Sequence, residues 1–248
     1  MSGNPFIPLR CADTVIVAGN ADREIIESLK RFNLNVIPTI KCVDVDESIA
    51  YHPDIVIHPI NYKTLVIAPN VYDYYHDRLS ATGLKLIRGE KKLGGKYPND
   101  IAYNIGRMKN IAIHYLNYTD EVAKFYLKKE GLDLINIKQG YTKCSMAIVD
   151  DTSVITADRP IFEILKSKGY YVLLIEPGHI KLENQQYGFI GGATGSYSKD
   201  LIFLSGRLDR HPDGKKILEF IYNKRKKIHY LSSKKIVDLG TIISLNCY

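Results

Sequence analysis

Residue types that support nucleophilic catalysis lie beside several apolar segments of this chain. Cys144 stands in QGYTKCSMAIV, residues 139–149, at the start of a strand-like apolar run. His52 and Asp54 open the apolar part of AYHPDIVIHPI, and Asp238 lies in VDLGTIISL. A cysteine thiolate is a strong nucleophile, a histidine transfers protons, and a carboxylate can orient that histidine. Residues of these types can support covalent catalysis, and Cys144 is then a nucleophile at the edge of a site.

A structural role is the alternative for each of these residues. Free cysteine is among the most buried residue types, so Cys144 is alternatively a core side chain. His52 precedes a proline and is alternatively a turn residue, and Asp54 can cap a turn. The sequence leaves both interpretations open.

The composition is typical of a globular protein with a sizeable core. Of the 248 residues, 45% are hydrophobic and 25% are charged. No apolar run reaches the roughly 18 residues of a transmembrane helix, and the N-terminus lacks the pattern of a secretory signal. The four cysteines are scattered, which is typical of a reduced protein. We therefore expect a cytoplasmic protein without a membrane partner.

The sequence predicts neither a metal site nor a cofactor. Its cysteines and histidines do not cluster at ligand spacing, which argues against zinc. The glycine-rich segment GFIGGATG, residues 188–195, is not followed by Gly-Lys-Ser/Thr, and a strand-like segment comes next. A nucleotide phosphate loop is thereby excluded. The remaining alternatives are a tight strand turn and an anion site at the backbone N–H groups of Gly191 and Gly192.

The chain is basic, with a net charge of +7 and a pI near 9.0. Much of the excess lies in two short runs, RGEKKLGGK and YNKRKKIHYLSSKK. Such runs are commonly solvated surface. They are also what a partner with negative charge, such as nucleic acid or a ribosome, would contact.

One pattern recurs five times: an apolar strand, a turn, a second strand, an amphipathic helix and a third strand. The second strands lie 43 to 50 residues apart and begin near Val15, Leu65, Ile111, Val154 and Leu201. The first unit has no first strand of its own, and VDLGTIISLN at residues 237–246 supplies the missing one. We therefore predict an α/β propeller of five ββαβ units, in one domain over residues 1–248. Pairing of the N- and C-terminal strands would close it and remove the exposed edges.

This pattern resembles the pentein fold of the guanidino-group-modifying enzymes. These include arginine deiminases, amidinotransferases and dimethylarginine dimethylaminohydrolases. The segments YPNDIAYNIG and QGYTKCSMAIV are similar to the P-D-D-I-A-A-N strand and the D-G-L-L-T-C-C-S segment of the last group. The resemblance implies that Cys144 is the catalytic nucleophile. It places Gln139 where the family has an acidic residue that clamps the guanidinium of the substrate.

Two further segments extend the resemblance. HPD at residues 52–54 resembles the family's H-x-D motif, which implies a catalytic His52 beside the carboxylate of Asp54. VDLGTIISL is similar to the E/D-G-G-D-V-L segment and implies that Asp238 orients the histidine. Asp54 and Asp100 are then the carboxylates for the guanidinium N–H groups. Lys143, next to the cysteine, should point to the opposite face of a strand.

The segments occur in a rotated order, because the cysteine of the family lies near the C-terminus. The resemblance therefore implies a circular permutation and an uncharacterised bacterial branch. The sequence also departs from the family's pattern, since Gln139 is neutral and the family's Arg-Asp pair is replaced near Gly191 and Gly192. A substrate less cationic than arginine would fit these changes.

Two functional hypotheses follow from the sequence and the resemblance. The first is a hydrolase or amidinotransferase that uses Cys144 on a C–N bond of a small amidine- or guanidine-like substrate. The second is a non-catalytic pentein that binds a ribosome or another anionic partner. The basic charge and the altered substrate clamp favour the second, and the sign of the first would be convergence of Cys144, His52 and a carboxylate in the central channel of the ring.

Overall fold

The computed structural model describes residues 3–247, which form fifteen strands and nine helical segments. The strands are β1 (Thr14–Val17), β2 (Asn35–Pro38), β3 (Ile57–Asn61), β4 (Thr64–Ile67), β5 (Lys85–Arg88), β6 (Gly106–Arg107), β7 (Ile111–His114), β8 (Asp133–Asn136), β9 (Ala147–Ile148), β10 (Ser153–Thr156), β11 (Tyr171–Leu174), β12 (Thr194–Ser196), β13 (Leu201–Leu204), β14 (Lys227–Tyr230) and β15 (Ile243–Leu245).

The helices are α1 (Arg23–Arg31), α2 (Pro53–Val56), α3 (Tyr72–Leu79), α4 (Glu121–Lys129), α5 (Thr142–Ser145), α6 (Arg159–Ser167) and α7 (Gly214–Asn223). Two 3₁₀ turns, Glu47–Ile49 and Ser80–Thr82, complete the set. None of the helices within residues 3–247 combines the length and apolarity that crossing a bilayer requires.

The strands form five separate three-stranded sheets, as the repeat predicts. In each sheet the central strand pairs antiparallel with a short strand and parallel with the strand that follows its helix. Apart from Leu201, every residue of the central strands β1, β4, β7, β10 and β13 is buried. Burial on both faces explains why these strands read as continuous apolar runs rather than as alternating ones.

The C-terminal strand completes the N-terminal sheet, which confirms the predicted pairing. β15 runs antiparallel to β1, with Val15 opposite Ser244 and Ile16 opposite Ile243. β2 lies on the other side of β1 in parallel register. The first unit thus borrows its first strand from the far end of the chain.

The helices begin and end at residues that the sequence marks. Asp158 accepts a hydrogen bond from the backbone N–H of Ile161, and Asp120 accepts one from Ala123, so both cap helix N-termini. Gly131 and Gly169 follow helices with φ near +80°, a conformation that glycine adopts without strain. Local signals therefore determine where these helices lie.

The predicted first strands are only partly correct. TKCSMAIV was expected to be a strand, yet Thr142–Ser145 form one helical turn and only Ala147–Ile148 pair in β9. In the same way, Pro53–Val56 form α2 ahead of β3. A short apolar run does not distinguish a strand from a buried helical turn. The helical turn at Cys144 is instead held by the side chain of Asn104, which lies forty residues earlier in the sequence.

Candidate active site

A cavity of about 520 Å³ is lined by loop residues and by residues at the short helical segments, including Cys144 of α5. Its wall includes four of the residues singled out in the sequence: His52, Asp100, Cys144 and Asp238. A cavity of this size accommodates a small organic molecule. The predicted residues therefore share a space that a substrate can occupy.

Cys144, His52 and Asp238 come together although they belong to three different segments. Their ligand-type atoms, the cysteine Sγ, a ring nitrogen and a carboxylate oxygen, all lie within 4.8 Å of one another. All three residues are buried. The expectation that three sequence segments converge on one site agrees with this arrangement.

His52 is placed by the start of α2. It is the residue before Pro53, which occupies the first turn of that helix. Its Nδ1 lies 3.9 Å from Oδ1 of Asp238, beyond hydrogen-bonding distance, and has no hydrogen-bond partner. Gly240 lies against the ring, since a Cβ at that position would come within 2.2 Å of the His52 Cβ. The imidazole is thus confined by packing and has an unused ring nitrogen.

Backbone N–H groups hold the carboxylate of Asp238. Oδ1 accepts from Gly240 at 2.9 Å, and Oδ2 accepts from Phe189 at 2.8 Å. A Cβ on Gly192 would lie 1.8 Å from Oδ1, so only glycine fits beneath this carboxylate. These contacts fix the orientation of the carboxylate beside His52.

The thiol of Cys144 lies between an acid and an amide. Its Sγ is 3.1 and 3.3 Å from the two oxygens of Asp54, and the Asn104 side-chain amide donates to Sγ at 3.1 Å. Burial raises the pKa of the Cys144 thiol well above its ordinary value, and the charges of Asp54 and Asp238 raise it further. The thiol is protonated and donates to Asp54.

Asp54 itself is 1% exposed. Burial raises the pKa of its carboxyl group, while the positive charges of Lys143 and His52 act in the opposite direction. Its backbone N–H donates to the carbonyl of Gly240, which ties α2 to the segment that leads into β15. Asp54 thus presents a negative group at the sulfur rather than at a solvent-exposed turn.

Lys143 was expected to point away from the site, and the structure corrects this. Because residues 142–145 are helical, the strand argument for opposite faces does not apply. The ammonium group is buried, donates to the Thr241 hydroxyl, and lies 3.4 Å from the Gly191 carbonyl oxygen. Burial lowers the pKa of Lys143, and the negative groups of Asp54, Cys144 and Asp238 oppose that change. Lys143 supplies positive charge behind the nucleophile.

Asn104 is a site residue that the sequence argument missed. Its Oδ1 accepts from the backbone N–H groups of Lys143 and Cys144, while its Nδ2 donates to Sγ. One side chain therefore caps the helical turn of the nucleophile and contacts the nucleophile itself. A signal was present, because Asn104 ends the asparagine-containing segment YPNDIAYN whose resemblance was noted above.

Asp100 lies in the cavity wall and is 2% exposed. Its Oδ2 accepts a hydrogen bond from the Tyr141 hydroxyl at 2.8 Å, and its Oδ1 has no partner. Burial raises the pKa of Asp100, and the hydrogen bond from Tyr141 opposes that rise. The structure thus leaves one buried oxygen of this cavity-lining carboxylate without a side-chain or backbone partner at hydrogen-bonding distance among the described residues.

Four predicted substrate contacts, Asp54, Gln139, Gly191 and Gly192, do not line the cavity, and Asp54 lies behind the sulfur as described above. The Gln139 amide donates to Asp158, and its oxygen accepts from the Tyr141 N–H, so both ends are used within the fold. The Gly192 N–H donates to the Cys144 carbonyl, and the Gly191 carbonyl accepts from Thr241. Both glycines permit close packing beneath the site, and the Gly192 N–H is used within the fold.

Cys144, His52 and Asp238 are also close enough together to bind one metal ion. Cysteine, histidine and aspartate are all zinc ligands, and three of them with an open position are the usual arrangement of catalytic zinc. The absence of a spaced sequence motif was therefore not a sufficient reason to exclude zinc. Ligands from distant segments meet only in the folded chain.

Comparison with known proteins identifies the family and the fold. The sequence matches the family of unknown function DUF6873 over residues 16–243. No curated protein sequence matches it.

Solved structures with a similar fold include two amidinotransferases and a deiminase. SxtG, an amidinotransferase of the saxitoxin biosynthetic pathway from Microseira wollei, is 12% identical with a TM-score of 0.59, and 98% of each chain is covered. The inosamine-phosphate amidinotransferase StrB1 from Streptomyces griseus is 11% identical with a TM-score of 0.57, covering 97% of this chain and 95% of that one.

The agmatine deiminase of C. jejuni is 10% identical with a TM-score of 0.55, and the match covers 93% of this chain and 90% of that one. At such low identity the likeness shows the fold alone. The chain belongs to the DUF6873 family and has the pentein fold of these enzymes.

Proposed function

We propose that this protein is an enzyme that uses Cys144 to cleave a C–N bond of a small amidine- or guanidine-like substrate. The observation that carries the proposal is the convergence of Cys144, His52 and Asp238 within 4.8 Å in the wall of a substrate-sized cavity. The sulfur also touches a buried carboxylate, Asp54. Nucleophile, proton carrier and cation-binding group are thus adjacent.

The charges around the sulfur favour a cationic substrate. Burial beside Asp54 and Asp238 raises the pKa of the thiol and keeps it protonated. A planar guanidinium placed against Asp54 would bring positive charge to the sulfur and donate paired N–H hydrogen bonds to the carboxylate. That charge lowers the pKa of the thiol and makes the substrate carbon electrophilic at the same time. Binding of the substrate therefore creates the nucleophile.

In the proposed reaction the Cys144 proton passes to His52 and the thiolate adds to the amidine carbon. The C–N bond then breaks, and the leaving amine takes the proton from the His52 imidazolium. An amidino group remains bonded to the sulfur. His52 next removes a proton from the second nucleophile, which attacks the same carbon and releases the thiolate. Water as that nucleophile gives hydrolysis, and an amine gives amidino transfer.

The fold contributes to the proposal through the arrangement of its sheets. The site residues come from several units, and β12 contacts both β9 and β15, so first strands of neighbouring units meet. We propose that all five sheets close into one ring around the cavity. A closed ring holds the segments of His52, Cys144 and Asp238 at fixed positions relative to one another.

The test uses 2-chloroacetamidine, an amidine that carries a leaving group, followed by mass spectrometry of the digested protein. We expect a thioether on Cys144, formed by loss of chloride, with the thiol proton passing to His52. The His52→Asn variant should react at least about tenfold more slowly, since general catalysis of this kind contributes roughly 10²–10⁴-fold. A screen of guanidines for ammonia or amine release would then identify turnover.

The exposed Cys11 is an internal control for reagent quality. Modification of Cys11 with none at Cys144 would contradict the proposal. The non-catalytic binding module would then be the better hypothesis, and the next measurement would be salt-dependent binding to RNA or ribosomes.

A further inference from the structure

The outer part of the cavity has features that the proposed chemistry does not use. We call it the outer subsite and define it by the cavity-lining residues Tyr97, Asp100, Tyr141, Tyr187 and Phe189. The Tyr141 hydroxyl bonds to Asp100, and burial keeps this phenol protonated by raising its pKa beyond the physiological range. Tyr141 therefore presents a neutral ring beside Asp100 in the cavity wall.

Asp100 is the charged group of the outer subsite. Its carboxylate is almost fully buried, yet Oδ1 has no hydrogen-bond partner. Buried polar atoms in folded proteins nearly always have a partner, and an unpaired carboxylate oxygen is among the most costly exceptions. A donor from a ligand in the cavity would satisfy this oxygen. Asp46, also in the cavity wall, adds further negative charge nearby.

Aromatic rings continue the wall from Asp100. The ring centroids of Tyr97 and Tyr141 lie 5.7 Å apart, those of Tyr141 and Phe189 6.2 Å apart, and those of Phe189 and Tyr187 6.4 Å apart. Tyr97 and Tyr187 are 49% and 40% exposed, so part of each ring remains available. Aromatic faces attract ammonium groups, and a cation held between them is further stabilised when it is desolvated.

A carboxylate tail of a substrate has no comparable partner. Arginine is the side chain that binds carboxylates in a bidentate manner, and no arginine lines the cavity within the described residues. Among the described residues, Lys96 and His52 are the cationic or potentially cationic residues that line the cavity. Lys96 is exposed. The outer subsite is thus acidic and aromatic.

We propose that the outer subsite binds a second cationic group, so that the substrate is a guanidine or amidine with a distal ammonium and no carboxylate. This inference rests on the proposed function for the position of the amidine end. Asp100 pairs with the ammonium through its free oxygen, and the rings of Tyr97, Tyr141 and Phe189 surround it. Asp54 holds the other end beside the sulfur.

The test measures how well three compounds protect Cys144 from 2-chloroacetamidine. Agmatine carries an amine tail, butylguanidine an uncharged tail, and 4-guanidinobutyrate a carboxylate tail. We expect agmatine to protect at a concentration about tenfold or more below that of butylguanidine, as a desolvated ammonium contact implies. The carboxylate compound should protect least. In the Asp100→Asn variant the ratio between agmatine and butylguanidine should fall to near one.

Asp77→Asn is the matched control, because it removes the same charge from an exposed site on α3. It should leave the ratio between agmatine and butylguanidine unchanged. Equal protection by the three compounds, or an unchanged ratio in Asp100→Asn, would overturn the outer subsite while leaving the chemistry at Cys144 intact. Absence of Cys144 modification by 2-chloroacetamidine would instead overturn the proposed function, and with it this inference.

Discussion

At the scale of single residues, the site holds a buried thiol and a buried imidazole beside the carboxylates of Asp54 and Asp238. The Cys144 thiol donates to Asp54, and the free Nδ1 of His52 has no partner. The same carboxylate that keeps the thiol protonated is the group against which a guanidinium would bind. If the proposed function is correct, the reactivity of Cys144 depends on the charge of the reagent.

The first prediction concerns the reaction of Cys144 with uncharged iodoacetamide. Because burial, Asp54 and Asp238 raise the pKa of this thiol, it should react slowly at neutral pH. Its rate should rise only above the range of an ordinary cysteine, whose pKa is about 8.5. Asp54→Asn removes the main neighbouring charge and should shift the rate profile to lower pH. Site-resolved mass spectrometry across the pH range checks both profiles.

A fast reaction of Cys144 with iodoacetamide at pH 7 would contradict this account of the empty site. Cys144→Ser is the control that identifies the adduct.

The second prediction concerns the buried ammonium of Lys143. Lys143→Met removes positive charge from a cluster that contains Asp54, so the pKa of Cys144 should rise further and stability should fall. Asp54→Asn should partly compensate, because neighbouring charges couple by about 0.5–3 kcal/mol. A double-mutant cycle of the free energy of unfolding, measured with denaturant, gives this coupling. Strict additivity of the two substitutions would show that the two groups do not interact.

At the scale of elements, one buried histidine links a central strand to the loop that carries the nucleophile. His114, at the end of β7, contacts the Thr119 hydroxyl through Nδ1 and the Gly140 carbonyl through Nε2. Gly140 precedes Tyr141 and α5, so the ring anchors the approach to Cys144. A neutral imidazole satisfies both contacts, with Nε2–H donating to Gly140 and Nδ1 accepting from Thr119.

The third prediction follows from the protonation of His114. Burial lowers the pKa of this imidazole to about 4 in the folded protein, and an unfolded histidine has a pKa of about 6.5. Between these values the unfolded state binds more protons than the folded state. Stability should therefore be complete above about pH 6.5 and decrease as the pH falls toward 4, by at most about 1.4 kcal/mol per pH unit from this group.

Denaturant unfolding at several pH values checks this slope. His114→Gln lacks the titration, so its free energy of unfolding should depend less on pH over the same range. Other buried histidines titrate in the same direction, as His58 does. The comparison with the variant isolates His114, and identical slopes would contradict the assignment.

At the scale of the whole molecule, the two ends of the chain share one sheet. β15 covers one edge of β1, and Ile243 is fully buried within the same core as Ile16 and Leu65. Gly240, in the short segment ahead of β15, lies against His52. The C-terminal segment is therefore needed for both the first sheet and the active site.

The fourth prediction tests this dependence by deleting residues 243–248. The deletion exposes one edge of β1 and removes several buried side chains. Truncation of a single buried isoleucine or leucine to alanine typically lowers the free energy of unfolding by about 2–5 kcal/mol. We expect a lower melting temperature and loss of amide hydrogen-exchange protection in Thr14–Val17. The deleted range includes Tyr248, which lies outside the described residues. Ile243→Ala is a milder variant that should shift both readouts in the same direction.

Protection of β1 amides that is unchanged by the deletion would contradict the structural role of β15. The α7 amides (Gly214–Asn223), in a different unit, serve as the internal reference for exchange.

Much of the fold followed from the sequence because its signals are local. The five central strands and the pairing of the terminal strands rest on apolar periodicity and on the repeat of the units. The first strands were predicted less well. Their few residues lack a distinctive period, and side chains from elsewhere, such as Asn104 at α5, determine their conformation.

For the site, the sequence by itself determined the residue types and, through motif resemblance, the positions of Cys144, His52, Asp54 and Asp238. Tertiary structure decided what those types do. The pKa of Cys144, the burial of Lys143, the contacts of Asn104 and the free oxygen of Asp100 all depend on distances between segments far apart in the chain. Desolvation and Coulomb interactions act through space, so no local pattern in the sequence can report them.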